Sequence, residues 1–130
     1  MIEVYTDGAS VGNPGISGAG VYIKADQKIY ERSFPLGHMS NHEAEFHAVI
    51  KGLEFCKQHF PERILSFRTD SKVVVNLVEK NFTKNKTFRP LLKQIHVEAN
   101  HFPLFLIKWI PNKQNIHADR LAKEALYLQK

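Results

Sequence analysis

Four acidic residues in this chain stand where a carboxylate could take part in chemistry. Asp7 follows a short apolar strand pattern, Ile2 to Tyr5, and opens a glycine-rich stretch, Thr6-Asp7-Gly8-Ala9-Ser10-Val11-Gly12-Asn13-Pro14-Gly15. Glu45 falls early in a helical pattern. Asp70 stands in Arg68-Thr69-Asp70-Ser71, and Asp119 in Asn115-Ile116-His117-Ala118-Asp119-Arg120-Leu121-Ala122. Carboxylates gathered in one cleft repel one another and cannot all ionise without counter-charge. Divalent cations supply that charge, and an all-oxygen ligand set suits Mg²⁺ or Mn²⁺. No His/Cys set with zinc spacing competes, and Cys56 is the only cysteine. The chemistry therefore depends on whether the folded chain brings these four acids together.

The elements that would position them can be read from periodicity and punctuation. Strands are expected over Ile2 to Thr6, Gly18 to Lys24 and Ile29 to Phe34, an antiparallel meander turning at Asp26-Gln27-Lys28 and ended by Pro35 and Gly37. Pro14 and Gly15 are expected to keep the first loop irregular. Ser40-Asn41-His42-Glu43 fits a capping box opening a helix that runs to about His59, before Pro61. Its inward stripe is Ala48, Val49, Gly52, Leu53 and Cys56, and one turn back lies Glu45, on a face where an unpaired carboxylate is costly. Ile64 to Thr69 reads as a strand ending at Asp70, which is either a reactive group at a strand end or a plain N-cap. A short helix follows with Val74, Leu77 and Val78, then a basic connection over 80–89, then a helix with Leu91, Leu92, Ile95 and Ala99 inward. Leu104 to Ile110 reads as the last strand. Asn115 is expected to cap a final helix with Ala118, Leu121, Ala122, Ala125 and Leu126 inward, and Asp119 in its first turn also suits the helix dipole. The pattern predicts an α/β fold, a mixed five-stranded sheet with helices against it.

With 130 residues, 43% of them hydrophobic and 24% charged, the chain reads as one globular domain spanning residues 1–130. Lys and Arg outnumber Asp and Glu 18 to 13, a net charge of +5 that favours a polyanionic partner. Cys56 lies among apolar helical positions and is expected to be a packed core thiol. The chain opens directly on a strand pattern and carries no long apolar run. A soluble, cytoplasmic monomer that does not engage a membrane is expected.

Four motifs in order carry a resemblance to a known family. Asp7-Gly8-Ala9-Ser10 with Gly12-Asn13-Pro14-Gly15, then Asn41-His42-Glu43-Ala44-Glu45, Thr69-Asp70-Ser71 and Ala118-Asp119-Arg120-Leu121-Ala122 resemble the signature of type 1 ribonucleases H, from Asp7 to Ala122. The resemblance implies the ribonuclease H fold, with the first strand central and Asp7 beside Asp70. It implies a metal-dependent endonuclease that cuts the RNA strand of RNA–DNA hybrids by a two-metal-ion reaction, leaving 3′-hydroxyl and 5′-phosphate ends. Asp7 would bridge two Mg²⁺ or Mn²⁺ ions, with Glu45 and Asp70 on the leaving-group side and Asp119 on the water side. Gly8, Ser10, Asn41 and Ser71 match contacts to the RNA strand, where the 2′-hydroxyl separates RNA from DNA. Asn13 and Ser40 match a pocket for a phosphate of the DNA strand. Local roles compete at several of these positions: Ser40 and Asn41 as caps, Ser71 as a helix start, Asn13 as a turn former.

The chain also departs from that family. The basic protrusion of longer members is compressed to residues 80–89, where Lys84, Lys86 and Arg89 interleave with Phe82 and Phe88. The histidine that many members carry before the last helix is missing from Pro111-Asn112-Lys113-Gln114-Asn115, and His117 lies two residues before Asp119. These losses keep open an alternative, a ribonuclease H-like nucleic-acid-binding protein with weak or no catalysis.

Overall fold

A computed structural model describes residues 1–129 of the chain. Three long strands, β1 (Ile2–Gly12), β2 (Gly15–Ala25) and β3 (Lys28–Met39), are followed by helix α1 (Asn41–His59). Strand β4 (Ile64–Thr69) leads to helices α2 (Lys72–Lys80) and α3 (Phe88–Ala99), then to β5 (Leu104–Trp109). A short 3₁₀ turn, Asn112–Gln114, precedes α4 (Ile116–Tyr127). The sheet order is β3-β2-β1-β4-β5, antiparallel on the β2 side of β1 and parallel on the β4 side. The mixed five-stranded sheet expected from the sequence is thus present, with β1 in its centre.

The strands are longer than their apolar alternation indicates. The stretch after Asp7 is not an irregular loop: β1 and β2 stay in register from Glu3↔Lys24 to Gly12↔Gly15, and only Asn13 and Pro14 make the turn. Backbone pairing there needs no large side chains, and small ones serve packing. A Cβ on Gly20 would lie 2.2 Å from the Ala118 carbonyl oxygen, so α4 rests directly on β2 at that point. Strand β3 likewise runs through Pro35 with a register shift opposite Ser17/Gly18. As an edge strand, it tolerates a residue without an N–H. Both central residues of the β2–β3 turn, Asp26 and Gln27, have positive φ, the geometry that matches hairpin twist.

The core lies chiefly between the sheet and α1, where Ile2, Val4, Val21, Ile23, Phe46, Val49, Leu53, Leu65 and Phe67 are fully buried. Burial is the dominant favourable term here. Cys56 belongs to this cluster, and burial pushes its thiol up to about 12, so it stays protonated at neutral pH. Helix α1 begins with the expected capping box: the Ser40 hydroxyl accepts from the Glu43 N–H, and Glu43 Oε1 accepts from the Ser40 N–H, both at 3.1 Å. Among the described residues, no helix is long and apolar enough to cross a membrane.

Candidate active site

Parallel pairing of β1 with β4 aligns Thr6 with Thr69, so Asp7 and Asp70 follow as neighbours at the same level of the sheet. Glu45 reaches them from the second turn of α1, which lies hard against β1 at Gly8. One oxygen from each of Asp7, Glu45 and Asp70 falls within 4.8 Å of the others. Asp7 is only 4% exposed and Glu45 7%. Among the described residues, no lysine or arginine forms a salt bridge with any of the three.

Burial and then mutual repulsion set the protonation of this cluster. Desolvation, followed by the charges of Glu45 and Asp70, pushes Asp7 up to about 10. Desolvation and the Asp70 charge push Glu45 up to about 8, and Asp70 is raised in the same direction, chiefly by desolvation. Among the described residues, Glu45 Oε2 is buried without a hydrogen-bond partner, whereas Asp7 Oδ1 accepts from the Gly8 N–H at 3.0 Å. An all-oxygen donor set, crowded, buried and with one orphaned oxygen, fits a hard divalent cation.

A pH dependence follows. Folding raises the Asp7 and Glu45 carboxyls above their unfolded range near 4 and so favours their protonated forms. Their contribution to the stability of the metal-free protein is full below that range. It is lost progressively as the pH rises, the loss completing near the folded values of about 8 and 10. Thermal melts in EDTA between about pH 5 and pH 9 should show wild type falling relative to Asp7→Asn. A difference between the two that is constant with pH would contradict the buried-acid geometry.

Asp119 lines the same cleft, of about 600 Å³, but stands outside the three-acid cluster, with Oδ2 3.0 Å from Lys123 Nζ. Its placement depends on Asn115, and here a sequence expectation is corrected. The Asn115 side chain does not cap α4. It is 1% exposed, and its Nδ2 donates at 2.9 Å to the carbonyl oxygen of Thr6, the residue before Asp7. Asp119 N–H in turn donates to the Asn115 carbonyl at 3.0 Å. One side chain thus fastens α4 to β1 between two of the acids, a long-range role that local cap statistics do not anticipate. Asn115→Ala should lower stability by about 1–3 kcal/mol, the cost of an unmade buried hydrogen bond, which thermal unfolding would measure.

The other residues singled out from the sequence divide into two groups. Gly8, Asn41 and Ser71 line the cleft with the acids. Ser71 is also the N-cap of α2, accepting from the Val74 N–H, so Asp70 itself is not the cap. Ser10, Asn13 and Ser40 are not among the cleft-lining residues. The Ser10 and Ser17 hydroxyls are 2.6 Å apart, and Asn13 Oδ1 accepts from the Asn41 N–H at 3.0 Å. That bond ties the β1–β2 turn to the start of α1, beside Ser40. His117 stacks on the Tyr22 ring with centroids 4.3 Å apart and does not line the cleft, whereas Asn112, from the loop without histidine, does. Sequence reasoning passed over Lys72 and Trp109, two further cleft residues. Their signal was position: Trp109 ends β5 in register with Thr69, and Lys72 follows Thr69-Asp70-Ser71 directly.

A β3-β2-β1-β4-β5 sheet with carboxylates at adjoining positions on its two central strands and on the first helix defines a ribonuclease H-like hydrolase. Comparison with known proteins narrows this. The family described as reverse transcriptase-like matches residues 5–125. A putative hydrolase, EbsB, of Enterococcus faecalis is 41% identical over 128 residues, spanning 97% of this chain and 94% of that protein. A ribonuclease H of Syntrophus aciditrophicus is 31% identical over 143 residues, spanning 96% of this chain and 80% of that protein. Several further relatives are longer, and the chain spans between 35% and 64% of their length. Among solved structures, LC11-RNase H1 in complex with RNA/DNA hybrid superposes with a TM-score of 0.92 at 28% identity, covering 99% of both chains. The chain belongs to the type 1 ribonuclease H family.

Proposed function

We propose that this protein is an endonuclease that hydrolyses the RNA strand of RNA–DNA hybrids with Mg²⁺ or Mn²⁺. The observation that carries the reading is the packing of Asp7, Glu45 and Asp70 oxygens within 4.8 Å, with Glu45 Oε2 buried and unpartnered. The hybrid-bound LC11-RNase H1, to which the chain is similar over nearly its whole length, supports the substrate class. Divalent ions, two in this reading, supply Lewis-acid stabilisation and an activated water for in-line displacement at phosphorus. Asp7 would contribute to both ions, Glu45 and Asp70 to the one on the leaving-group side, and Asp119 to the other.

The remaining residues position the strands. Gly8 lines the cleft where α1 seats on β1, and its backbone would face a ribose there. The Asn41 amide and the Ser71 hydroxyl border that floor and can each donate and accept toward a 2′-hydroxyl. Ser71 accepts from Val74 and retains its own O–H for donation. Ser10, further along β1, would contact the same strand. Asn13 has its Oδ1 engaged by Asn41 and its Nδ2 available for a phosphate of the DNA strand, next to Ser40.

The product ends test the reaction type. Cleaved hybrid should yield RNA fragments whose 3′ ends a polymerase extends and whose 5′ ends carry phosphatase-sensitive phosphate. Fragments ending in 2′,3′-cyclic phosphate would overturn the reading, since they arise from attack by the ribose rather than by water.

A further inference from the structure

We propose that Lys72, held on the ring of Trp109, binds a backbone phosphate of the strand being cut, beside the acid cluster. The inference rests on the hybrid-cleaving reading above. Among the described residues, Lys72 is the only lysine or arginine that lines the cleft, alongside four carboxylates. A polyanionic substrate entering such a cleft needs a cation that the acids have not already neutralised. Lys72 is such a cation: it forms no salt bridge among the described residues, and its Nζ stands 4.9 Å from the centroid of the Trp109 ring. A ring face attracts an ammonium through its quadrupole and uses none of the three N–H donors. The charge is thus held in place with its donors available.

Neither residue is favoured by its position alone. Lys72 is the first residue of α2, whose first turn has no acid, and a cation there opposes the helix dipole. Trp109 is 42% exposed, a large apolar surface at the rim of a polar cleft. Two locally unfavourable placements in contact point to a function met at that spot. The pair is also fixed relative to the acids. Trp109 Nε1 donates to the Asp70 carbonyl at 3.1 Å, and the Ile110 N–H donates to the Thr69 carbonyl at 2.9 Å, so the indole moves with the strand end that carries Asp70. Lys72 adjoins Ser71, placed above against the ribose of the RNA strand, which assigns the phosphate to that strand. Pre-positioning lowers the entropy cost of using a long side chain.

The test is hybrid binding by the Asp7→Asn protein over a range of salt concentrations, with and without Lys72→Ala. Loss of one phosphate contact should weaken binding about fivefold and reduce the slope of log K against log salt by about one. Lys72→Arg should restore the slope. Trp109→Leu should weaken binding with the slope retained, because it loosens the charge without removing it. With Asp7 intact, Lys72→Ala should raise KM more than it lowers kcat. An unchanged slope and KM for Lys72→Ala, in a protein that still cuts hybrid, would overturn the Lys72 assignment alone. A parent protein that neither binds nor cuts hybrid would overturn both that assignment and the functional reading.

Discussion

Asp7→Asn should lower hybrid cleavage by on the order of 10³-fold or more, while the protein keeps its fold and, metal-free at neutral pH, melts at a higher temperature. The loss follows from the central place of Asp7 in the cluster: it supplies charge that an amide lacks, in a site whose work is electrostatic. The gain in stability follows from the same burial. A carboxyl that is 4% exposed beside two others must be held protonated by the metal-free fold at a pH where the unfolded chain ionises it, and an amide of equal shape removes that cost. The backbone bond survives, since Asn retains an oxygen to accept from the Gly8 N–H. Single-turnover cleavage with metal and thermal melts in EDTA, on the same preparation, check both halves. A variant that cuts at the wild-type rate would show that the reaction does not run through this cluster.

The second large effect is expected at Gly8. A Cβ there would lie 2.5 Å from the carbonyl carbon of Ala44 and 2.6 Å from the amide nitrogen of Glu45. These are backbone atoms of a helix and cannot turn aside as a side chain would. Gly8→Ala must therefore push the start of α1 off β1, and Glu45 moves with it. Overpacking of this kind costs about 1–3 kcal/mol, and a displacement near 1 Å at reacting groups costs about 10²-fold in rate. The variant should thus be folded but less stable, with cleavage reduced about 10²-fold at temperatures well below its melting point. Full activity would mean that the contact between β1 and α1 does not set the position of Glu45.

Much of this architecture was legible in the residues. Alternation and caps placed α1 from the capping box at Ser40 to its end at His59, and the strand preceding Asp70 ends where the apolar pattern stops. Strand lengths were less legible. From Gly8 to Gly20 the side chains are mostly too small to show a period of two, and backbone pairing that needs no side chain continues unseen through them. Of the site, the residue types were visible, and Glu45 stood out as an acid on an apolar face. What brings it to Asp7 was not visible, because register between β1 and β4 and the seating of α1 on Gly8 are relations between distant segments. Asn115 illustrates the same limit: a polar residue just before a helix reads as a cap, yet its side chain spans 109 positions of sequence to reach Thr6. Lys72 and Trp109 carried no motif of their own, and only the fold sets one against the other.

The most direct test of the central claim is cleavage of an end-labelled RNA–DNA hybrid by the wild-type protein, with Mg²⁺, Mn²⁺ or EDTA, beside single-stranded RNA and duplex DNA. The acid cluster and the cleft around it lead us to expect cutting of the hybrid's RNA strand alone, and only with metal. Undiminished cutting in EDTA, or no cutting by folded protein that still holds the hybrid, would contradict it.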